Sequence, residues 1–298
     1  MQPSMRFLSI LFLACTLIPS FVSAQNAPNR EIWKAGDMTV TVIQDSPGEM
    51  SVSLFSGPAS EEEKSKYFTN GKAEAGTNVF LLRAGGKIAL FDAGAGTLFK
   101  SPGKLPETLA SLGIKPEDVD YVLLTHMHMD HIGGLLQEEK RAFPKAKLLV
   151  AKVELNSWIA LAAENPSHAN AAKVKSVISA YGDDILPPFA FGDTLLPGVK
   201  ALDASGHTPG HTVYQLTADG KSLLIVGDLI HAMPLQFALP DECPSYDMAP
   251  PQAIQSRKRI FALATKDGIP IAGVHFPFVN AVGTVKQDGK GWKFERMQ

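Results

Sequence analysis

The sequence contains very little cysteine, with only Cys15 and Cys243 among 298 residues. Cys15 lies in an N-terminal segment that we predict is removed, which leaves a single cysteine in the mature chain. No intrachain disulfide can then form, so the mature protein must be stabilised by its core and by any bound metal. A zinc site built from several cysteines is excluded for the same reason, and histidine and carboxylate remain as the available ligands.

Strong charge of either sign is also missing. The formal net charge is −2, charged residues make up 19% of the chain, and the densest basic stretch is Arg257-Lys258-Arg259. Nucleic-acid binding generally uses a much larger basic surface, so we expect no nucleic-acid partner. The hydrophobic fraction of 45% instead indicates an ordinary globular chain with a substantial core.

An apolar run long enough to span a membrane is absent. The run from Phe7 to Ile18 is too short, and it is preceded by Arg6 and followed by Val22-Ser23-Ala24. This order is typical of a cleaved secretory signal, so we predict a signal peptide at residues 1–24 and a single domain at residues 25–298. The mature protein is then expected in the periplasm or the medium without a stable membrane anchor, and lipidation of Cys15 is left open.

Motifs for serine nucleophiles and dinucleotides are absent as well. No Gly-x-Ser-x-Gly segment occurs, and Ser101-Pro-Gly-Lys104 lacks the Ser-Asp-Asn and Lys-Thr-Gly partners of the serine β-lactamases. Gly94-Ala-Gly96 lacks the third glycine of a dinucleotide-binding loop. The chemistry of this chain must therefore come from other residues.

Potential metal ligands are concentrated in residues 123–134. His126, His128, Asp130 and His131 fall within six positions, after an apolar strand-like run and before two glycines. Residues two apart in extended backbone point the same way, so His126 and His128 can converge on one ion. Asp130 and His131 lie past the bend and would face another ion. The spacing therefore suggests two metals.

Three later segments add candidate ligands, each soon after a predicted strand. They contain His207 and His211 in Ser-Gly-His-Thr-Pro-Gly-His, then Asp228, and finally His275. Strand ends along one edge of a sheet lie near one another, so we expect these residues to meet the first cluster. Asp92 ends another predicted strand, where it could cap a turn or orient a ligand histidine.

Strand hairpins followed by helices occur in both halves of the chain. Phe91-Asp92-Ala93-Gly94 and Val226-Gly227-Asp228 each end an apolar strand in a small residue beside a carboxylate. This repetition predicts an α/β fold in which two sheets pack together with helices outside. The polar segment from residue 45 to residue 76 is predicted to be a long loop that could cover a site.

Taken together, His-x-His-x-Asp-His, Gly-His-Thr-Pro-Gly-His, a Gly-Asp after a strand and a late histidine resemble the metallo-β-lactamase superfamily over essentially the whole mature chain. Asp-Ala-Gly-Ala-Gly-Thr-Leu-Phe and Gly-Asp-Leu-Ile-His look most like the methyl parathion hydrolase branch, which neighbours the acyl-homoserine-lactone lactonases. The resemblance implies an αββα sandwich of two mixed sheets flanked by helices. It also implies His126, His128 and His207 on one metal, Asp130, His131 and His275 on a second, and Asp228 bridging both.

The activity implied by the resemblance is hydrolysis by a hydroxide that bridges two metal ions. Asp130 is a candidate for passing a proton to the leaving group. The ligand types favour two zinc ions, with manganese, iron and cobalt left open. The expected substrate is a small apolar lactone, ester or phosphotriester, which would make the enzyme a lactonase, an esterase or an organophosphate hydrolase. Residues expected to contact it are Phe99, Trp158 and Phe237, together with His231, which could instead support a ligand. Asp92 would also support a ligand.

Several alternatives stay open at this stage. They are β-lactamase activity, thioesterase activity like that of glyoxalase II, and an exported metal-binding protein without catalysis. The oxygen-reducing diiron branch is disfavoured, because it has glutamate where this chain has His128. We interpret His211 as structural and His168 as a surface residue. A homodimer is also left open.

Overall fold

The computed structural model of the chain describes residues 29–99 and 101–297. The predicted signal peptide at residues 1–24, which includes Cys15, lies outside the described residues. Its cleavage and the single domain at residues 25–298 stay predictions. Within the described part, none of the helices is both long and apolar enough to cross a membrane.

Two large β-sheets form the centre of the described chain. In spatial order, the strands of the first sheet are Asn29–Ala35, Met38–Ser46, Thr77–Ala84, Lys87–Phe91, Tyr121–Leu123 and Lys147–Leu149. Those of the second sheet are Thr194–Leu196, Val199–Asp203, Thr212–Ala218, Lys221–Ile225, Ile271–Ala272, Val282–Asp288 and Gly291–Arg296. Both sheets are mixed, because each combines parallel and antiparallel pairs.

Helices and short strand pairs surround these sheets. The α-helices are Glu61–Ser65, Leu105–Ser111, Met129–Ile132, Lys152–Glu164, Ala169–Tyr181, Met233–Ala238 and Pro250–Asp267. The short pairs are Glu49–Ser51 with Lys72–Glu74, Phe55–Ser56 with Cys243–Pro244, and Leu136–Gln137 with Lys140–Arg141. Single 3-10 turns occur at Val52–Leu54, Pro116–Asp118, Gly133–Leu135, Gly182–Asp184, Gly227–Leu229 and Phe278–Asn280.

Apolar side chains bury both faces of each sheet. In the strand Thr77–Ala84, Phe80 and Leu82 pack against the second sheet, whereas Val79 and Leu81 pack on the helical side. Successive side chains of a strand point to opposite faces, so a strand covered on both sides needs an unbroken apolar run. The outer face of the second sheet packs against the helix Pro250–Asp267. These layers form the αββα sandwich that the sequence predicts.

Local sequence explains where the main helices begin and end. His168 is exposed, and its Nδ1 accepts a hydrogen bond of 3.3 Å from the Ala171 N–H at the start of the helix Ala169–Tyr181. The helix Pro250–Asp267 begins with proline, whose fixed φ suits a first turn. Its last residue, Asp267, is followed by Gly268, which adopts a left-handed φ of 61°.

The segment from residue 45 to residue 76 is not the long loop predicted from its polar composition. It contains a short helix and short strands, and Phe55–Ser56 pairs with Cys243–Pro244 from a distant part of the chain. The local pattern could not predict this pairing, because the partner strand lies almost two hundred residues away. The segment does line a cavity beside the candidate ligands, as described below.

Candidate metal centre

The segments that carry the candidate ligands leave the two sheets close together. Asp92 directly follows the strand Lys87–Phe91, which is parallel to Tyr121–Leu123, the strand before the histidine-rich stretch. In the second sheet, Lys221–Ile225 and Ile271–Ala272 are also parallel and precede Asp228 and His275. Parallel neighbours end at the same edge of a sheet, so residues placed after them meet in space.

The histidine-rich stretch packs tightly against the loop that follows Asp92. A Cβ atom on Gly133 or Gly134 would collide with the backbone carbonyl groups of Ala95 or Ala93. Glycine is therefore required at both positions, since it alone permits this approach of the two backbones. The close approach fixes the single helical turn that presents Asp130 and His131.

The candidate ligand atoms form two groups that share one carboxylate. The first group contains His126, His128, His207 and Asp228, and the second contains Asp130, His131, Asp228 and His275. Within each group the ligand atoms lie within 4.8 Å of one another. Asp228 Oδ1 is 3.1 Å from His131 Nε2, and Asp228 Oδ2 is 3.3 Å from His207 Nε2. The structure thus brings together all seven residues named from the sequence, with Asp228 between the groups.

Asp92 contacts a ligand histidine directly. Its Oδ2 accepts hydrogen bonds from His131 Nδ1 at 2.9 Å and from Thr125 Oγ1 at 2.8 Å. Its Oδ1 accepts a third, from the Thr125 backbone N–H at 2.8 Å. With Nδ1 occupied in this way, the Nε2 lone pair of His131 is directed toward the centre.

Two further rings are held in the same manner. His207 Nδ1 donates to Asp247 at 2.8 Å, and His275 Nδ1 donates to the Gly76 carbonyl at 2.8 Å. Both interactions leave Nε2 facing the centre. Asp247 was not predicted from the sequence, because it lies in an irregular stretch and no local spacing connects it with His207.

His128 presents Nδ1 to the centre, whereas His131, His207 and His275 present Nε2. Its Nδ1 lies 3.0 Å from His126 Nε2 and 2.9 Å from His207 Nε2. Three imidazole nitrogens that converge so closely are arranged as ligands to a common cation would be.

Unpartnered buried atoms also fit bound cations. His131 Nε2 and Asp228 Oδ1 are buried and have no hydrogen-bond partner among the described residues. Buried polar atoms normally have a partner, so two orphaned atoms facing each other in one group indicate that an ion completes it. The imidazole and carboxylate donors suit zinc and other first-row divalent metals. The residues present therefore fit two such ions.

Electrostatics at the centre favour an ionised Asp228. Burial raises the pKa of this carboxyl, but the surrounding histidines, His131 foremost, hold it well below its usual range. Burial lowers the pKa of His211 to about 3 and that of His231 to about 4. Both rings are therefore neutral at neutral pH. Burial also raises the pKa of Asp247, but the hydrogen bond from His207 together with the charges of His207, His231 and Arg257 lowers this pKa overall.

Two buried histidines outside these two ligand groups, His211 and His231, both contact Asp228. His211 Nε2 accepts a hydrogen bond of 3.0 Å from the Asp228 backbone N–H, while its Nδ1 donates to the Ala204 carbonyl at 3.1 Å. His231 Nε2 lies 3.0 Å from Asp228 Oδ2, and its ring stacks on His275. His231 is fully buried and does not line the cavity described next, so of the two roles expected for it, contact with substrate and support of a ligand, its position fits the second.

A cavity of 650 Å³ opens beside the second ligand group. Asp130 and His275 form its floor, and apolar or aromatic side chains form much of its wall. The main wall residues are Met50, Leu54, Ala75, Phe99, Pro102 and Tyr246. Lys104 also lines the cavity and is exposed to solvent. A small, largely apolar molecule could therefore reach the ligands.

Of the three aromatic residues expected to contact substrate, only Phe99 lines this cavity, and it is 48% exposed. Trp158 is buried, with its ring edge against His128 and its Nε1 donating to Glu154 at 2.7 Å. Phe237 is 3% exposed and packs in the core against Phe261. The expected pocket role does not fit Phe237, because its ring is enclosed by neighbouring aromatic side chains.

The fold and the ligand groups together define a two-sheet α/β protein with a candidate dinuclear metal centre. The sequence profile described as the metallo-beta-lactamase superfamily matches residues 74–268. The match covers more than half of the chain, and the chain belongs to this superfamily. The family and the fold expected from the sequence motifs are thus confirmed.

Curated relatives include hydrolases with different substrates. An N-acyl homoserine lactonase of Bacillus thuringiensis is 25% identical over 166 residues, which are 55% of this chain and 58% of the lactonase. Ribonuclease TTHA0252 of Thermus thermophilus is 30% identical over 157 residues, which are 50% of this chain and 34% of the ribonuclease. The chain therefore spans just over half of the first relative and about a third of the second.

Solved structures match over nearly the whole described chain. The hydrolase AbOPH, described as a member of the beta lactamase superfamily, has a TM-score of 0.83 and 30% identity, covering 91% of this chain and 98% of AbOPH. AidC, a dizinc quorum-quenching lactonase in complex with its product, has a TM-score of 0.81 and 24% identity, covering 91% and 97%. At that identity, the likeness to AidC shows the fold alone.

Proposed function

We propose that this protein is a dinuclear metal-dependent hydrolase of small apolar lactones, esters or phosphotriesters. The observation that carries the proposal is the pair of four-residue ligand groups sharing Asp228 at the floor of an open cavity. Membership of the superfamily and the lactonase among its relatives support hydrolysis as the reaction.

The metals we propose are two zinc ions, in keeping with the histidine and carboxylate donors and with the dizinc AidC. When bound, such ions supply a water that is acidic enough to act as a nucleophile near neutral pH and polarise the oxygen under attack. His126, His128 and His207 would hold one ion, while Asp130, His131 and His275 would hold the other. Asp228 would bind both.

The residues of the chain then position the substrate and move its proton. Asp130 is the ligand carboxylate that reaches the cavity, and its side chain is 23% exposed. This carboxylate can therefore meet both the reacting centre and the leaving oxygen, and we propose that it passes the proton between them. Asp228 is buried among histidines and stays ionised, so it is unsuited to this transfer.

The cavity wall supports an apolar substrate. Phe99, Met50 and Leu54 offer apolar surface, and the Tyr246 hydroxyl already contacts Met50 Sδ at 3.1 Å. Lys104 is the wall residue that could attract a negative group, but it is exposed at the rim, where a charge contributes little to affinity. The net charge of −2 also disfavours a polyanionic substrate such as RNA, despite the ribonuclease relative.

The test is a substrate panel for the purified protein, comparing kcat/KM for acyl lactones, p-nitrophenyl esters and a paraoxon-like triester. We expect at least one class to be hydrolysed, with activity lost to a chelator and restored by zinc, manganese or cobalt. An Asp228→Ala variant should lose both metal binding and activity. If no class turns over in the metal-restored protein, or if Asp228→Ala keeps full activity, the proposed function is wrong.

A further inference from the structure

We propose that Glu154 is a positioning residue for the first ligand group, because it fixes the loop of His126 and His128 to the loop of His207. The inference rests on the proposed function, since it concerns the metals that those residues would hold. Glu154 itself belongs to neither ligand group.

Both carboxylate oxygens of Glu154 are fully engaged. Oε1 accepts hydrogen bonds from the Met127 backbone N–H at 2.9 Å and from Trp158 Nε1 at 2.7 Å. Oε2 accepts from Thr208 Oγ1 at 2.7 Å and from the Gly210 backbone N–H at 2.9 Å. The side chain is completely buried. One carboxylate thus receives four donors in a place that water does not reach.

Three of the four donors come from the two loops that supply the first group, and the fourth, Trp158, lies on the same helix as Glu154. Met127 lies between His126 and His128, and Thr208 directly follows His207. A shift of either loop would therefore move a ligand relative to the others. Gly210 packs directly on the backbone of Glu154, where a Cβ atom would collide with it. This contact holds the second loop at a fixed distance from the helix Lys152–Glu164.

The second group is held by different residues. His131 is oriented by Asp92 and His275 by the Gly76 carbonyl, and neither interaction involves Glu154. A disturbance at Glu154 should therefore affect one metal more than the other. A purely structural role would lower the stability of the fold without this selectivity.

Glutamate is required at this position because four donors need two accepting oxygens. Burial raises the pKa of Glu154, and the four hydrogen bonds oppose that rise by favouring the ionised form. A glutamine has the same size but only one accepting oxygen. If that oxygen stays on Met127 and Trp158, the amide NH2 faces the Gly210 N–H, which then has no acceptor. The loop of His207 is thereby released.

The experiment is a titration of metal-free protein with Co²⁺ alone, followed by absorption spectroscopy and calorimetry. We expect the parent to bind two ions and Glu154→Gln to lose at least tenfold in affinity for one of them, with the other unchanged. Thr208→Val removes a single hydrogen bond to Glu154 and should weaken the same ion by a smaller factor. Glu242→Gln is the matched control, since Glu242 is also fully buried but accepts from Ala59 in a different region.

Selective loss of one ion in both Glu154→Gln and Thr208→Val, with Glu242→Gln binding like the parent, would support the proposal. Unchanged binding of both ions in Glu154→Gln would overturn it while leaving the proposed function intact. Equal weakening of both ions would also overturn it, because that result indicates a general effect on the fold. A parent protein that binds no metal would refute the proposed function and this inference together. Should Glu154→Gln fail to fold, unchanged binding in Thr208→Val would overturn the proposal.

Discussion

The substitution Asp92→Asn should disable the second metal ion selectively. The two carboxylate oxygens of Asp92 accept three hydrogen bonds, one of them from His131 Nδ1. Asparagine has only one side-chain oxygen, so it cannot accept all three. If the asparagine NH2 faces His131, the ring must accept there and carry its proton on Nε2, the atom that would bind the metal. If the amide turns the other way, the Thr125 backbone N–H loses its acceptor instead.

The magnitude follows from these contacts. Loss of a hydrogen-bond partner behind a metal-binding histidine weakens metal affinity about 10- to 100-fold, or about 1.4 to 2.7 kcal/mol. A buried N–H without an acceptor costs about 1 to 3 kcal/mol of stability in the metal-free protein as well. Glu242→Gln is the control, because Glu242 is equally buried and accepts from the Ala59 backbone N–H, in a segment that supplies no ligand.

The assay is metal content by elemental analysis together with a Co²⁺ titration of each purified variant. We expect Asp92→Asn to retain one ion and to unfold at a lower temperature than the parent, and Glu242→Gln to retain two ions. A folded Asp92→Asn variant that binds both ions with the affinity of the parent would refute the reasoning about the His131 ring.

Three further predictions concern the cavity, the metals and the N-terminus. Phe99→Ala should lower kcat/KM about fivefold by removing roughly 1 kcal/mol of apolar contact with the substrate, with metal content unchanged. Phe237→Leu changes the core and should instead lower the melting temperature. Steady-state kinetics and thermal unfolding of both variants would distinguish these effects. Removing both metal ions with a chelator should lower the melting temperature by roughly 15 to 20 °C if each ion is present at about a thousand times its dissociation constant. An unchanged calorimetric scan would contradict this. We propose that the predicted signal is cleaved, so that the mature protein begins at Gln25. N-terminal sequencing of the protein expressed with its full N-terminus would check this, and an intact N-terminus would show that the signal is not cleaved.

The candidate ligands could be located from the sequence because they lie on strong local patterns, while their division into two groups that share Asp228 came from the resemblance to the superfamily. His126, His128 and His131 share one short stretch, and Asp228 and His275 each follow a short apolar strand. The order of strands and helices likewise follows from apolar alternation. This is why the two-sheet fold and the meeting of the segments could be expected before the structure.

The supporting residues could not be predicted in this way. Glu154 is a single acidic residue in a helix, and Asp247 is a single acidic residue in an irregular segment. Their hydrogen-bond partners come from loops that are distant in sequence, so no local pattern indicates either role. The predicted contact of Trp158 and Phe237 with substrate was wrong because their sequence signal is ambiguous. An aromatic residue gives the same apolar signal whether it faces a cavity or fills a core, and in this fold both rings are enclosed.

The ring nitrogen that His128 presents has a consequence for which side chains could replace it. Nδ1 is attached to Cγ, so it lies as many bonds from the backbone as a carboxylate oxygen of aspartate, whereas Nε2 lies one bond farther, like an oxygen of glutamate. His128 faces its neighbours through Nδ1, while His207 and His275 face the centre through Nε2. Aspartate or asparagine could therefore keep a donor atom in place at position 128, whereas the other two positions would need a side chain of glutamate length.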